Sequence, residues 1–303
     1  MIYEYAIEPE LLMHWASNDR DYREFLREYG LGTPRLTSSF PKQKAAKFRS
    51  YYLRKGPRDE QSNEAQRYLE MVNYIAESLV YRNNIECDGS CWESNILHED
   101  SVNPFYAILT STPIDSKRCL TPNTMYSEGS IWNHECQISV SRTYENLFPI
   151  LSNMFSLAQE EIIIVDGYGW NQRAIEFIAK LLNGVLCGKG FNQCPELVLF
   201  YKDKKDDKAP DAAYVKSEIE KRAPGIKDAV KFQVISLSEV GGGDVFHNRC
   251  ILTEHGGIAF GHGIDVTENS FHSDEVTLMN KAVYIKKWDQ FVDDLCFEVV
   301  SQA

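Results

Sequence analysis

Residues 246–265 read Phe246-His-Asn-Arg-Cys-Ile-Leu-Thr-Glu-His-Gly-Gly-Ile-Ala-Phe-Gly-His-Gly-Ile-Asp265. The first eight residues, Phe246–Thr253, mix polar and apolar side chains in short alternation, which predicts a half-buried strand. Gly256-Gly257 predicts a hairpin turn, and Ile258–Phe260 predicts the returning strand. We therefore expect three of the basic side chains in this stretch to meet near one end of a sheet.

Those three basic side chains are His247, Arg249 and His262. Side chains two positions apart on a strand share a face, so the sequence predicts that His247 and Arg249 project side by side. An acid, Glu254, follows soon after. An imidazole beside a guanidinium, with a carboxylate nearby, indicates a phosphate site.

The same residues resemble the phospholipase D superfamily, whose motif is His-x-Lys, four residues, Asp, six residues, then Gly-Gly/Ser-x-Asn. The matching positions are His247, Arg249, Glu254 and Gly261-His-Gly-Ile264. Arg replaces Lys, Glu replaces Asp, and Ile264 stands where the family has Asn. The resemblance covers the C-terminal half only. It implies a diverged domain with a layered α/β/α sheet, in which His247, Arg249 and Glu254 are the catalytic candidates.

In that family the histidine attacks phosphorus, and a histidine from a second, similar half protonates the leaving oxygen. No second His-x-Lys/Arg motif is visible in the N-terminal part of this sequence. The resemblance therefore implies that another protomer supplies the second half, as an isologous homodimer would. It also implies a metal-independent phosphodiesterase or nuclease that uses no cofactor.

Helical patterns alternate with apolar strands such as Glu161–Asp166 after about residue 142, which predicts an α/β sheet domain. The preceding part reads as mainly helical. We expect two domains, 1–141 and 142–303. Asp166 follows its strand at the carboxyl end, where open α/β sheets place ligand sites. Arg249, His262 and Asp166 are thus the predicted phosphate-binding residues. The alternative for Asp166 is that it ends the strand and orders the turn that follows.

Charge is distributed unevenly along the 303 residues. The formal net charge is −12, which argues against a protein that coats nucleic acid with its whole surface. Residues 31–58 nevertheless contain no acid. Within this basic segment (35–58), the predicted nucleic-acid-binding residues are Lys42, Lys44, Lys47 and Arg49. The alternative is that these cations face water or pair with the protein's own acids, while the neighbouring aromatic residues fill the core.

Two groups of residues raise the question of a metal. Cys87-x3-Cys91, followed by Cys119 and Cys136, has no repeated ligand spacing, and the eight cysteines of the chain are irregularly placed. His255 and His272 join His247 and His262 in one stretch, but that stretch reads as strand and loop without a helical ligand pair. We expect no metal, and His255 and His272 as exposed loop residues.

The leading functional hypothesis is a phosphodiester-recognising protein that binds or cleaves nucleic acid, centred on His247 and Arg249. The alternative is a non-catalytic scaffold or interaction subunit of a larger assembly. The opening Tyr3–Glu10 and the segment Gly30–Arg35 resemble uncharacterised bacterial proteins of defence-associated gene clusters. No signal-peptide pattern and no apolar run near 18 residues is visible, so we expect a cytoplasmic protein without a membrane partner.

Overall fold

The computed structural model describes residues 1–87, 91–203, 209–247, 249–267 and 271–303. The chain divides into an N-terminal unit, Ile2–Glu135, and a C-terminal unit, Cys136–Ala303 together with Met1. Both contain helices and a sheet, which confirms the predicted α/β class. The division falls before Gln137–Ser141 and not after it, because that strand pairs with Ser273–Leu278 of the C-terminal unit.

The N-terminal unit contains a parallel sheet that the mainly helical expectation did not include. Its strand order is β2-β1-β3-β4, and all three pairings are parallel. Every residue of β2 and β3 is buried. The β-branched and aromatic residues of Phe105–Thr110 predict a strand, and β3 lies within it, whereas β2 is too short to show alternation. The strands are β1 (Tyr3–Ile7), β2 (Arg35–Thr37), β3 (Ala107–Leu109) and β4 (Cys119–Leu120).

Side-chain caps and apolar stripes define the helices around this sheet. The Asn18 side chain accepts hydrogen bonds from the backbone at the start of α2, and Ser62 does the same for α4. Helix α4 buries Tyr68, Met71 and Ile75 at helical spacing. The helices are α1 (Pro9–Ser17), α2 (Asp19–Glu28), α3 (Ala45–Leu53), α4 (Asn63–Ala76), α5 (Trp92–Val102) and α6 (Pro122–Met125).

A buried arginine connects β1 to α5 in this unit. The Arg82 guanidinium donates to both carboxylate oxygens of Glu4, at 2.7 and 2.8 Å, and to Glu99 at 2.7 Å. It also lies 3.5 Å from the ring centroid of Phe105. Only 2% of the Arg82 side chain is exposed. The ion pairs of Arg82 with Glu4 and Glu99 therefore lie in the interior of the unit.

The C-terminal unit is built on an eight-stranded mixed sheet with the order β12-β8-β7-β6-β9-β10-β11-β5. Strands β6, β7 and β8 are parallel, and the pairings beyond them are antiparallel. The strands are β5 (Gln137–Ser141), β6 (Glu161–Asp166), β7 (Glu196–Lys202), β8 (Lys231–Ser238), β9 (Arg249–Thr253), β10 (Gly256–Phe260), β11 (Ser273–Leu278) and β12 (Glu298–Gln302).

The central strands of this sheet are covered on both faces. Five consecutive residues of β6 and five of β7 are buried, and successive strand residues point to opposite faces. Asn171 and Asp211 cap two of the helices. The helices are α7 (Tyr144–Leu157), α8 (Gln172–Cys187), α9 (Ala212–Arg222), α10 (Ile226–Ala229) and α11 (Lys281–Trp288), which continues into a π-helical turn, Asp289–Asp293. No helix in the described ranges has the length and apolar character needed to cross a bilayer.

The hairpin at the sheet centre turns two residues earlier than predicted. Gly256 pairs with Thr253, so Glu254 and His255 form the loop and the glycines begin the returning strand. A β-carbon on Gly257 would lie 2.7 Å from Leu252 and 2.9 Å from Met279. Close packing at the start of β10 therefore requires glycine there, and the Gly-Gly pair does not mark the turn.

Candidate nucleic-acid interface

The predicted nucleic-acid-binding residues, here called the α3 cations, lie on helix α3 or just before it. Lys47 and Arg49 are on the helix, Lys44 is its N-cap residue, and Lys42 precedes the cap. Lys44, Lys47 and Arg49 are exposed, and none of them forms an ion pair with a described residue. Lys42 is half-buried, with its Nζ 5.3 Å from the ring centroid of Tyr51. Of the two options in the alternative reading, the three exposed cations face water and do not pair with the protein's own acids among the described residues.

Two of the three aromatic residues of α3, Phe48 and Tyr52, fill the core as the same alternative proposed, and Tyr51 is half-buried. Phe48 and Tyr52 are both 0% exposed, and their rings stack with centroids 4.2 Å apart. The Tyr52 hydroxyl donates to the Ile7 carbonyl, which attaches α3 to the sheet. These two rings are consequently unavailable for stacking on bases, and α3 offers charge to a ligand from its exposed residues.

Arg35, the first cation of the basic segment, is structural. It is 5% exposed, its Nη1 donates to Glu28 at 2.9 Å, and its guanidinium lies 3.8 Å from the ring centroid of Trp132. The reason is its position on β2 in the sheet, whereas the α3 cations lie on helix α3 or in the segment just before it.

The second candidate region is the edge of the C-terminal sheet where β6 ends. Asp166 is opposite Arg249 in the register of β6 and β9. The Asp166 carboxylate is 2% exposed and accepts from the backbone N–H of Tyr168 at 2.8 Å and of Ile264 at 2.6 Å. Burial raises the pKa of Asp166, and the two backbone donors oppose that shift. Asp166 therefore orders the turn and also holds the loop after β10.

That loop, residues 261–265, packs closely on Asp166 and Arg249. The Arg249 Nη1 donates to the Gly261 carbonyl at 3.1 Å. Gly263 has φ +155°, and a β-carbon there would lie 3.0 Å from Asp166 Oδ2 and 3.6 Å from Arg249 Cδ. Ile264, which stands where the phospholipase D motif has Asn, is buried and contacts Asp166 through its backbone N–H.

A cleft of about 130 Å³ opens at this edge. His262 is exposed at its rim, with 68% of the side chain accessible, and its backbone N–H donates to Asp274 at 3.0 Å. Arg142 forms an ion pair with Asp265, and the Arg142 Nε is buried with no hydrogen-bond partner in the described part of the chain. The lining residues are Arg142, Asp166, Tyr168, Asn171, His262, Gly263 and Asp265.

The structure thus brings Asp166, Arg249 and His262 to one sheet edge and adds Arg142, which the sequence analysis did not identify. Arg142 follows β5, a strand from the far side of the sheet order, and nothing in its local sequence indicates this neighbourhood. Two arginines and an imidazole can attract an anion here. Asp166 and Asp265 in the same cleft repel an anion. Whether the cleft favours an anion therefore depends on the exposed His262 and on Arg142, whose Nε has no partner among the described residues.

His247 does not lie on β9, which is a correction to the predicted strand Phe246–Thr253. The strand begins at Arg249, and His247 is exposed on the segment before it. The cause is Phe246, which is buried with its ring 5.1 Å from that of Phe297 and whose N–H donates to Glu239 at 2.8 Å. His247 and Arg249 are therefore not neighbours on one strand face, and His247 is not among the residues that line the cleft.

Glu254 lies at the opposite end of β9 from Arg249. Five strand positions separate them, about 16 Å along an extended chain. The Glu254 carboxylate accepts from the backbone N–H groups of Gln159, Glu160 and Glu161, at 2.6, 3.4 and 3.3 Å. The motif spacing therefore does not bring Glu254 to the Arg249 edge, because its strand directs it to the start of β6.

The histidine and cysteine expectations have mixed outcomes. His255 is 4% exposed and lies 3.2 Å from Glu254, so the prediction of an exposed loop residue is wrong for His255, while His272 is exposed as predicted. Residues 88–90, between Cys87 and Cys91, lie outside the described residues. Within the described ranges, no group of three His, Cys, Asp or Glu side chains is arranged to hold a metal ion.

Comparison with known proteins finds no matching family model and no matching curated protein. Among solved structures, the chain is similar to TrmBL2, an archaeal chromatin protein with a novel mode of DNA binding. The identity is 15%, the TM-score is 0.29, and the match covers 56% of this chain and 55% of that chain. It is also similar to the polyphosphate kinase of Porphyromonas gingivalis. There the identity is 13%, the TM-score is 0.33, and the coverage is 54% and 27%.

The chain spans about half the length of the first of these proteins and about a quarter of the second. Similarities of this size do not identify a function. The residues of the two candidate regions have to carry any functional proposal.

Proposed function

We propose that this protein binds nucleic acid through the α3 cations. The observation that carries the proposal is that Lys44, Lys47 and Arg49 are exposed and make no ion pair with a described residue, in a chain of net charge −12. An acidic protein has abundant carboxylates that could neutralise surface lysines. Cations that stay free under those conditions remain available to an external polyanion.

The physical driving force is the release of counterions from phosphates. Each lysine or arginine that neutralises a phosphate frees condensed cations, so affinity falls steeply as salt rises. Binding of this kind reads the backbone and is largely independent of sequence. The burial of Phe48 and Tyr52 supports the same conclusion, because these two rings do not stack on bases and the exposed cations are what this surface offers to a ligand.

The edge of the C-terminal sheet supports a second contact, to a single phosphate group. Arg142, Arg249 and the exposed His262 provide the donors. Arginine suits this task because its fork of N–H groups matches two phosphate oxygens. We assign this edge a binding role only. The Glu254 carboxylate accepts hydrogen bonds from three backbone amides at the other end of β9. Cleavage by the phospholipase D mechanism would also need a second His247, from another copy of the chain.

The test is a fluorescence anisotropy titration of labelled DNA and RNA, single- and double-stranded, with the full chain. The α3 triple variant, in which glutamine replaces each of three exposed α3 cations, should bind at least about tenfold more weakly. A control triple variant removes the same charge from exposed lysines elsewhere and should stay within about twofold. The α3 triple variant is Lys44→Gln/Lys47→Gln/Arg49→Gln, and the control is Lys117→Gln/Lys189→Gln/Lys231→Gln.

Equal losses in the two triple variants would overturn the proposal, since net charge alone would then explain the binding. Incubating the same nucleic acids with the protein, without added metal, tests for cleavage. Products that disappear in His247→Ala would extend the proposal to a nuclease.

A further inference from the structure

The N-terminal unit contains a second cleft, of about 270 Å³, which the proposed nucleic-acid contact does not use. Helix α2 forms one wall, and the segment from α6 to Trp132 forms another. Aromatic rings and carboxylates predominate among the lining side chains. We call it the acidic aromatic cleft and define it by Asp21, Glu24 and Glu28 with Trp15, Tyr126 and Trp132.

The carboxylates of this cleft come from one side of α2. Asp21, Glu24 and Glu28 are spaced three and four residues apart, which places them in one row along a helix. Glu28 pairs with Arg35, but Asp21 and Glu24 form no ion pair with any residue in the described ranges. The Tyr126 hydroxyl donates to Glu24 and holds that carboxylate at the cleft. Two half-buried negative charges thus remain without a counter-ion.

The aromatic side of the cleft already binds one organic cation, an arginine of the chain itself. The Arg35 guanidinium lies 3.8 Å from the ring centroid of Trp132 and donates to Glu28 at 2.9 Å. A ring face and a carboxylate acting together are a known way to hold such a cation. Tyr126, 62% exposed, presents a further ring beside Trp132, at a centroid distance of 6.1 Å.

Tyr29 gives an independent indication that the cleft accepts a ligand. It lines the cleft, it is 2% exposed, and its hydroxyl is buried without a hydrogen-bond partner among the described residues. Buried polar groups are nearly always paired, so this unpaired hydroxyl, on a residue of the cleft wall, is a candidate partner for a ligand atom. Burial raises the pKa of Tyr29 well above its ordinary value, so the hydroxyl keeps its proton.

We propose that the acidic aromatic cleft binds a small organic cation, a guanidinium or ammonium group with a short apolar chain. Asp21 and Glu24 provide the charge, Trp15 and Tyr126 enclose the apolar part, and Tyr29 is available for one hydrogen bond. The volume suits a ligand well below drug size. Arg20 also lines the cleft, and its positive charge favours an anionic ligand. The test therefore includes an anionic probe.

The test is isothermal titration calorimetry of the full chain with three probes of one size. Butylguanidinium is the cation, butylurea is its neutral planar analogue, and pentanoate is the anion. We expect butylguanidinium to bind, and to bind at least tenfold more tightly than the other two. The variant Asp21→Asn/Glu24→Gln keeps side-chain shape and should weaken butylguanidinium at least tenfold, whereas Glu60→Gln, on an exposed turn, should leave it unchanged.

Tyr126→Ala gives a second reading, because its ring is mostly exposed and its loss leaves the core intact. It should weaken butylguanidinium several-fold. Equal affinity for butylurea would overturn the proposal in favour of a plain apolar cleft, and tighter binding of pentanoate would assign the site to Arg20. Absence of any butylguanidinium heat up to 10 mM, with thermal unfolding showing folded protein, would overturn it outright.

Discussion

The N-terminal unit holds its positive charges in two contrasting ways. Arg35 and Arg82 are buried, and each is neutralised by carboxylates and covered by an aromatic ring. Lys44, Lys47 and Arg49 are exposed and make no ion pair with a described residue. The first kind belongs to the folded structure, and the second is available to a ligand. Substituting a buried arginine should therefore lower the stability of the fold, and substituting an exposed cation should weaken nucleic-acid binding.

The largest effect is expected for Arg82→Met, the clearest example of an interior cation. Methionine fills much of the same space but leaves the Glu4 and Glu99 carboxylates buried without their partner. Breaking a buried ion pair on one side costs about 3–5 kcal/mol of the free energy of unfolding. Urea denaturation measures it, and Arg58→Met, at an exposed position, should cost less than about 0.5 kcal/mol. Similar costs at both positions would remove the distinction between the two kinds of cation.

Asp166→Asn extends the comparison to the C-terminal unit. Its carboxylate accepts two backbone N–H groups, and asparagine has a single acceptor oxygen. One buried donor is then left unpaired, and the free energy of unfolding should fall by about 1–3 kcal/mol. Asp228→Asn, on the exposed surface of α10, is the matched control and should be nearly silent. A silent Asp166→Asn would mean that the loop after β10 does not depend on this carboxylate.

His134 provides a pH test of the N-terminal interior. Burial and the nearby Arg35 lower the pKa of His134 to about 4, and its Nε2 lies 2.6 Å from the Tyr5 hydroxyl. In the unfolded chain the pKa returns to about 6.5, so the unfolded state takes up the proton first as pH falls. Stability associated with His134 is present above pH 6.5 and decreases toward pH 4.

The expected decrease is on the order of 1–2 kcal/mol, because the ring is only partly buried. Urea denaturation at pH 7 and pH 4.5 measures it, and the pH-dependent loss should shrink by that amount in His134→Gln. His98→Gln, at an exposed position, should retain the full loss. An unchanged pH dependence in His134→Gln would show that the interior tolerates the charged imidazole.

The smallest stability effect is expected for Arg249→Gln, which lies between the two kinds of cation. Arg249 is half-buried and gives one hydrogen bond to the Gly261 carbonyl, so its replacement should cost about 1 kcal/mol or less. Its effect on nucleic-acid affinity should be a few-fold. The anisotropy titration and urea denaturation, run on the same sample, separate the two. A loss of several kcal/mol would assign Arg249 to the fold and remove it from the proposed phosphate contact.

The elements that follow from local chemistry were predictable from the sequence. Strand β6 has the predicted bounds, Glu161–Asp166. Asp211 caps α9 by accepting from the backbone N–H of Tyr214, and aspartate is a favoured residue at that position. The three-residue strand β2 and the final strand β12 have no periodic signal. Their strand state depends on pairing with distant segments, such as β12 with β8.

Less of the candidate site was predictable, because a motif fixes spacing along the chain and not direction in space. Glu254 matches the motif spacing, yet the strand carries it away from Arg249. His247 precedes the strand because Phe246 is drawn into an aromatic cluster. Arg142 reaches the cleft from a strand at the far edge of the sheet order. Each of these depends on tertiary packing that a single sequence does not contain.

The salt dependence of nucleic-acid binding tests the central claim most directly. The slope of log K against log salt concentration counts the phosphates that the protein neutralises, at about 0.9 per contact on duplex DNA. If Lys44, Lys47 and Arg49 each neutralise a phosphate, the slope of the α3 triple variant should be smaller than that of the wild type by about 2–3. The control triple variant should keep the wild-type slope. An unchanged slope in the α3 triple variant would contradict the assignment of nucleic-acid binding to α3.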